Sequence, residues 1–288
     1  MPSFADSVIL PHRVVDARTR TVVDFEGLLY RCSFARVVTV GENHEDPATH
    51  KIELAILEGL FRHRGSVILS LEMFERDVQP VIDLYLAGEI GEDDFLNGSR
   101  PWGNYPDGYR PMVEFSKENS LPVVASNIPR RIAAIVASSG FDSAVIPDEE
   151  LAYMPEIFIA PQDDYYRLFA DTMQMPGMEH MGVTEEKILM FYEAQVLKDE
   201  TMAESISRAA LNDPDSLVYH VTGSFHTIDN LGTLSRVKRN LPGVDIVSIL
   251  IIPVDDILDV IPEDITKADY WIFVQAPPHE NDDEENSE

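Results

Sequence analysis

Six short runs of apolar, largely β-branched residues recur along the chain, and they restrict its fold more than any other feature. The runs are continuous and do not alternate with polar residues, which is typical of strands buried on both faces of a sheet. Helical apolar periodicity separates most of them. The strand segments are residues 36–40, 66–71, 121–125, 217–222, 244–251 and 270–274. This alternation predicts an α/β fold with a mostly parallel sheet flanked by helices.

Helix signals occupy most of the intervening segments. The clearest helix covers 47–63, with Asp46 as its N-cap and Pro47 in its first turn. Further helices are predicted at 76–87, 109–119, 129–138, 162–173 and 184–211. The region 140–212 has no strand run and contains a methionine-rich break. We expect this region to be a helical insertion that forms a lid on a single domain of residues 1–276.

Charge and composition exclude several classes of protein. The net charge is −29, and the chain still carries −23 without the six acids of its last ten residues. Such a field repels nucleic acid. Residues 277–288 are predicted to be an acidic, disordered tail. The single Cys32 excludes an internal disulfide.

The sequence predicts neither a membrane span nor an export signal. No apolar run reaches the roughly 18 residues that a membrane span requires. The first residues lack a basic segment followed by a long apolar one, so no secretory signal is predicted. We expect a cytoplasmic protein, or a periplasmic or membrane-anchored one if a leader has been removed.

Polar side chains follow four of the predicted strands at the point where each strand ends. They are His44, Glu72, Asn127 and His226. The carboxyl ends of parallel strands meet at one sheet edge, where ligands bind in folds of this class. His44 and His226 each close a Gly-x-x-His motif, GENH and GSFH, whose glycines we expect to let the backbone turn sharply. The sequence therefore predicts one site at this edge.

Two chemistries suit the residues of this site. His44, Glu72 and His226 could bind a divalent metal and leave positions open for water and substrate. Alternatively, a histidine could act as general base and a glutamate as its orienting group or as an acid, with no metal. Both arrangements would activate a water molecule.

Several segments carry a family resemblance. The segments GENHEDPATHKIELAIL, LSLEMFERDVQPVIDLYLAGEI, VVASNIPRR, HMG…FYEAQVLKDETMAESI and VTGSFHTIDNLG resemble the ChaN-like haem-binding uptake family. That family shares a superfamily with Tiki metalloproteases, TraB proteins and erythromycin esterases. The resemblance runs from about Val37 to Val237.

The branches of this superfamily imply different functions for the same positions. The esterase branch adds Glu42 to a metal-free catalytic set of Glu42, His44, Glu72 and His226. The Tiki branch implies a divalent metal such as Mn, Co, Zn or Fe. The ChaN branch implies haem binding, dimerisation and a lipoprotein anchor, although this sequence has neither a signal nor a lipobox cysteine.

Four further residues are candidates for binding a cofactor. Arg76, in the first turn of the helix predicted after Glu72, could neutralise an anion, or it could be a solvated helix residue. Gln195 and Asp199 lie one turn apart and could line the lid or serve packing. His180 in the methionine-rich break could be an axial haem ligand. We expect His50 to be a surface or helix residue.

Three functional hypotheses are compatible with the sequence. The chain could hydrolyse a small ester or amide by water activation, it could bind haem without catalysis for iron uptake, or it could be a catalytically silent scaffold. The expected partner is a small-molecule ligand or haem, with a homodimer implied by the ChaN branch.

Overall fold

A computed structural model describes residues 10–174, 184–258 and 268–276. The strands in this part of the chain are β1 His12–Asp16, β2 Thr21–Val23, β3 Val37–Glu42, β4 Val67–Glu75, β5 Val123–Asn127, β6 Leu217–Gly223, β7 Ile246–Val254 and β8 Tyr270–Gln275. The helices are α1 Phe25–Cys32, α2 Pro47–Arg64, α3 Gln79–Leu86, α4 Glu92–Ser99, α5 Arg110–Glu118, α6 Arg130–Ser139, α7 Asp164–Met173, α8 Glu185–Asn212 and α9 Thr233–Asn240. None of these helices is long and apolar enough to cross a bilayer.

The strands form a single sheet in the order β2-β1-β8-β7-β3-β6-β4-β5. Strands β3 to β8 are mutually parallel, and β1 and β2 add an antiparallel hairpin at the β8 edge. The predicted α/β fold with a mostly parallel sheet is therefore confirmed. Because β6 lies between β3 and β4, Glu72 near the end of β4 becomes a neighbour of His44 and His226, which follow β3 and β6.

Side chains of the central strands alternate between two helical layers. Val38 and Val40 of β3 pack in a cluster with α1, α2 and α5. Val37 of β3 and Ile68 of β4 pack on the opposite face with α8 and α9. By the same alternation, Glu42 points towards the α2 layer, whereas Glu72 points towards the α8 layer. The sheet thus presents its two strand-end glutamates to different layers.

The helix that follows β3 begins as its sequence signals predict. The Asp46 Oδ2 atom accepts a hydrogen bond from the Thr49 amide at 2.7 Å, and Pro47 occupies the first turn. Gly65 ends α2 with a φ of 78°, a conformation that favours glycine. This cap fixes the first turn of α2, including His50, directly behind the carboxyl end of β3.

The region predicted as a helical insertion has two structural roles. Helix α8 packs on β5, β6, α6 and α9, so it belongs to a layer that flanks the sheet. Helix α7 contributes Phe169, Thr172 and Met173 to the wall of a cavity at the sheet edge. His180 lies outside the described residues.

Candidate functional site

A cavity of about 610 Å³ lies at the carboxyl ends of β3 to β6. Its volume is within the range of ligand pockets, about 300–1,000 Å³. Its wall contains the four predicted catalytic residues and Gln195. The lining residues are Glu42, Asn43, His44, Glu72, Glu75, Trp102, Asn127, Ile128, Arg130, Phe169, Thr172, Met173, Gln195, Lys198, Gly223, Ser224, Phe225 and His226.

Glu42 and His44 form a hydrogen-bonded pair on one side of the cavity. The His44 Nδ1 atom lies 2.7 Å from Glu42 Oε1, which also accepts the Tyr109 hydroxyl at 2.7 Å. The Glu42 side chain is fully buried, whereas the His44 side chain is 34% exposed. Among the described residues no group hydrogen-bonds His44 Nε2. The pair therefore leaves one imidazole nitrogen available to a ligand.

The Glu42–His44 pair shifts the pKa of both groups. Burial raises the pKa of Glu42, but the hydrogen bonds from His44, His50, Glu53 and Tyr109 outweigh it and bring the pKa down to about 2. Burial lowers the pKa of His44, but the hydrogen bond and charge of Glu42 outweigh it, so that pKa is raised overall. Glu42 is thus a carboxylate across the neutral pH range and orients the His44 ring.

His50 and Glu53 lie behind Glu42. The His50 Nδ1 atom is 3.3 Å from Glu42 Oε2 and 3.1 Å from Glu53 Oε2. Its Nε2 atom lies 3.0 Å from the His44 carbonyl oxygen. His50 was expected to be a surface or helix residue; it lies in α2, and the first turn of that helix buries it beneath the end of β3.

Glu72 and His226 form the opposite side of the cavity. The Glu72 Oε2 atom accepts hydrogen bonds from Thr222 Oγ1 at 2.5 Å and from the Gly223 amide at 2.8 Å. Its Oε1 atom lies 3.3 Å from His226 Nε2. The other ring nitrogen of His226, Nδ1, lies 2.8 Å from Asp199 Oδ1. Glu72, His226 and Asp199 are therefore one continuous buried network.

The charges of this second network stabilise one another. Burial lowers the pKa of His226, but Glu72 and Asp199 outweigh it and raise the pKa to about 10. Burial raises the pKa of Glu72 and of Asp199, yet the charge of His226 and the hydrogen bonds of each carboxylate bring both below their ordinary values. An imidazolium between two carboxylates is the expected state at neutral pH.

We expect the protonation of His226 to appear in the pH dependence of stability. A group whose pKa is raised on folding stabilises the protein fully below its ordinary pKa, here 6.5, and loses that effect as the pH approaches 10. The melting temperature of the wild type should therefore fall between pH 6.5 and 10, and that of His226→Gln should fall less. Both proteins retain His50, whose pKa is also raised to about 10. Equal slopes in the two proteins would contradict a charged His226.

Both glycines of the Gly-x-x-His motifs are required for space. A Cβ on Gly223 would lie 2.7 Å from His44 Nε2 and 3.8 Å from Glu72 Oε2. A Cβ on Gly41 would lie 2.2 Å from Thr227 Oγ1 and 3.0 Å from the Ser224 Cα. Neither glycine has a positive φ. The expectation of a sharp, glycine-specific turn is therefore replaced by close approach of neighbouring groups.

The remaining predicted site residues have different positions. Gln195 lines the cavity, and its Nε2 atom is 3.2 Å from both ring nitrogens of His226. Asp199 lies behind His226 and is fully buried. Arg76 does not line the cavity, because its guanidinium is bonded to Glu204 at 2.9 Å and to the Thr201 carbonyl at 2.8 Å.

The predicted metal ligands share this cavity but are not the most compact donor set in the described ranges. His226 and Glu72 are in contact, and His44 closely approaches Gly223 beside Glu72. The side-chain donor atoms that lie within 4.8 Å of one another belong to Glu42, His50 and Glu53. Metal binding by His44, Glu72 and His226 stays a prediction.

Two cations lie in the wall of the cavity. Arg130 begins α6, and Lys198 belongs to α8. Neither has a side-chain hydrogen bond or an ion pair to the rest of the described chain. The neighbouring Arg131 is instead paired with Asp77 and Glu150. Arg130 and Lys198 therefore offer positive charge to a ligand within an otherwise acidic protein.

Comparison with known proteins defines the class. Residues 28–237 match the model of a family described as haem-binding uptake, Tiki superfamily, ChaN. The chain belongs to this family.

The individual relatives share little sequence identity with this chain. A structure of Campylobacter jejuni ChaN, titled for cofacial haem binding, is 16% identical, with a TM-score of 0.69 over 92% of this chain and 97% of that one. The erythromycin esterase EreC is 11% identical, with a TM-score of 0.50 over 93% and 83% of the two chains. At these identities both show the fold alone. Protein RETICULATA-RELATED 5, chloroplastic, from Arabidopsis thaliana is 21% identical over 72% of this chain, which spans 30% of that protein's length.

Proposed function

We propose that the cavity activates water to hydrolyse a small ester or amide, with His44 as the general base. The observation that supports this most directly is the Glu42–His44 pair. Its buried carboxylate holds Nδ1 at 2.7 Å, and Nε2 has no partner in the described chain. A carboxylate that fixes one imidazole nitrogen and leaves the other facing the substrate is the arrangement of a general base.

The reaction follows from the two sides of the cavity. His44 Nε2 takes a proton from water while the water oxygen bonds to the substrate carbonyl carbon, whose electron pair moves to the carbonyl oxygen. When the carbonyl re-forms, the bond to the leaving group breaks, and His44 returns the proton to that group. The Gln195 side-chain amide, which lines the same cavity, donates a hydrogen bond to the negatively charged carbonyl oxygen. Both ring nitrogens of His226 face Glu72 and Asp199, so His226 packs beside Gln195 and does not donate to the substrate.

The cavity wall also indicates the chemical class of the substrate. Arg130 and Lys198 have no acidic partner among the residues that the structure covers, so they are available to a carboxylate or phosphate group. Trp102, Phe169 and Phe225 provide aromatic surface to an apolar part of the same molecule. We therefore propose an anionic substrate with an apolar body.

Haem in the same cavity is the second candidate, and the family match favours it. The residues present fit this ligand: His44 Nε2 is open to coordination, Trp102, Phe169 and Phe225 offer flat apolar contact, and Arg130 and Lys198 suit two propionates. Bound haem would supply iron as the cargo of uptake. His226 is unsuited to be its ligand, because Glu72 and Asp199 occupy both ring nitrogens.

One set of assays distinguishes these functions. Purified wild type, His44→Ala and the surface control His63→Ala are tested on chromogenic esters and amides, each as a neutral compound and as a carboxylate-bearing analogue, and are also titrated with haemin. Loss of the general base should lower kcat/KM by about 10²–10⁴-fold in His44→Ala. Both variants should melt at the wild-type temperature, and His63→Ala should have wild-type activity.

The other outcomes are equally informative. Absence of turnover in the wild type would overturn the hydrolase proposal. A saturable Soret shift that His44→Ala weakens would then support haem binding. Neither turnover nor a Soret shift would leave a catalytically silent scaffold.

A further inference from the structure

Three donor side chains meet in the protein interior behind the cavity wall. Donor atoms of Glu42, His50 and Glu53 all lie within 4.8 Å of one another, and all three residues are buried. Of these three residues, Glu42 alone lines the cavity. The cluster is thus separate from the set of His44, Glu72 and His226 predicted from the sequence to bind metal.

One oxygen atom of this cluster has no partner, and a second has a poor one. Glu53 Oε1 is buried and accepts no hydrogen bond from the described chain, and Glu42 Oε2 faces His50 Nδ1 at 3.3 Å without full hydrogen-bond geometry. The Glu53 side chain is completely inaccessible to solvent. Burying a carboxylate oxygen without a donor is costly, and here two carboxylates share one imidazole. Burial and the charge of Glu42 therefore raise the pKa of Glu53 well above its ordinary value, and Glu53 Oε1 still lacks a donor.

The orientation of His50 leaves Nδ1 facing both carboxylates. Its Nε2 atom lies 3.0 Å from the His44 carbonyl oxygen, to which only an N–H can donate. Metal-binding histidines are commonly held by this kind of hydrogen bond from the second ring nitrogen to a backbone carbonyl. The loop at Gly108 closes over the same nitrogen, since a Cβ there would lie 3.0 Å from Nε2. The ring is therefore fixed with Nδ1 directed at the two glutamates.

We propose that Glu42, His50 and Glu53 bind a divalent first-row metal ion, with Zn²⁺, Mn²⁺ and Fe²⁺ as the candidates. One imidazole nitrogen with carboxylate oxygens is a donor set that suits these ions. The Nδ1 atom is 3.1 Å from Glu53 Oε2 and 3.3 Å from Glu42 Oε2. Two metal–ligand bonds of about 2.1 Å that enclose roughly 95–105° give such separations.

Binding exchanges protons for the metal. Without an ion, His50 Nδ1 carries a proton, and burial beside the charge of Glu42 raises the pKa of Glu53 well above its ordinary value, so Glu53 carries a proton as well. The metal takes the Nδ1 lone pair and the two carboxylates, and the protons of His50 and Glu53 leave to solvent, so the affinity rises with pH. Glu53 Oε1 is free to make its carboxylate bidentate, which gives four protein donors. Glu42 Oε1 keeps its hydrogen bonds to His44 and Tyr109, so the ion would anchor the carboxylate that orients His44.

The test measures retained metal and does not depend on catalysis. The full chain is stripped with a chelator, loaded separately with Zn²⁺, Mn²⁺ or Fe²⁺, dialysed, and analysed for metal content; Co²⁺ serves as a visible-spectrum probe. The wild type should retain one equivalent of at least one ion, melt at a higher temperature when loaded, and release protons on binding. The isosteric variant Glu53→Gln and the variant His50→Gln should each bind at least 10-fold more weakly.

Matched variants separate this site from the cavity. Glu72→Gln, His226→Gln and the surface control His63→Gln should retain the ion, because none of these residues touches the cluster. The inference is overturned if the wild type retains no ion, or if Glu72→Gln and His226→Gln lose it while Glu53→Gln keeps it. If Glu53→Gln does not fold, metal retention by His50→Gln compared with that by Glu72→Gln still decides between the two sites. Failure here would leave the hydrolysis proposal intact.

Discussion

Replacing Gly223 by alanine is expected to lower hydrolytic kcat/KM by about 10²–10³-fold while the protein stays folded. The added Cβ would lie 2.7 Å from Nε2 and 3.0 Å from Cε1 of His44, so the imidazole has to move. The ring sits at the far end of a partly exposed side chain, so the displacement costs little stability. It removes the proposed base from its position, and errors of about 1 Å at a reacting centre cost about 10²-fold. Steady-state kinetics and a thermal melt of the same preparation check both parts.

Gly103→Ala is the matched control for this substitution. Gly103 lies next to Trp102 at the edge of the site, and a Cβ there meets no atom within 4 Å. Its activity and melting temperature should equal those of the wild type. Wild-type kinetics in Gly223→Ala would show that His44 does not need its observed position, and the general-base role would have to be abandoned.

Replacing Asp199 by asparagine is expected to destabilise the fold by about 3–5 kcal/mol, the usual cost of breaking a buried ion pair. Asp199 accepts hydrogen bonds from His226 Nδ1, from the Tyr165 hydroxyl at 2.8 Å and from the Thr233 hydroxyl at 2.7 Å. Asparagine has a single acceptor oxygen, and its NH₂ group would face one of these donors. It also removes one of the two negative charges beside the His226 imidazolium. Denaturant unfolding followed by circular dichroism measures the change.

Asp164→Asn provides the comparison for Asp199→Asn. Asp164 pairs with Arg167 at 2.8 Å, but both side chains are mostly exposed, at 74% and 69%. Exposed pairs of this kind contribute about 0–1 kcal/mol. A loss of stability in Asp199→Asn no larger than that in Asp164→Asn would mean that the Glu72–His226–Asp199 network is not charged as described.

The sheet could be predicted from the sequence because burial leaves a direct signature in composition. Strands such as β3, buried at every position, can contain apolar residues without alternation, and six such runs became the six parallel strands. The hairpin of β1 and β2 was not predicted. β2 has only three residues, and none of them is buried. A short, open edge strand is held by its partner's backbone and needs no recognisable side-chain pattern.

The site residues at strand ends could be predicted from the sequence. The directions in which helical side chains point could not. His44, Glu72 and His226 converge because parallel strands share an edge. Arg76 is near Glu72 in sequence, but its side chain turns to Glu204 of α8. His50 and Glu53 are polar and border the apolar stripe of α2, so nothing in composition distinguished them from solvated residues. Their i, i+3 spacing, which places both on one face of α2, was the signal that the sequence offered.

Helix α8 joins the chemistry of the cavity to the packing of the sheet. Gln195 and Asp199 contact His226, and one to three turns further on Ala203, Ile206 and Ala210 pack on the sheet. Successive residues of a helix are rotated by about 100°. Deleting one residue between Asp199 and Ala203 would therefore rotate the two ends of the helix relative to each other. If the alanine-rich end kept its packing on the sheet, Asp199 would no longer face His226. The contacts with His226 and the packing on the sheet together fix the number of residues between Asp199 and Ala203. We expect the protein not to tolerate insertions or deletions there.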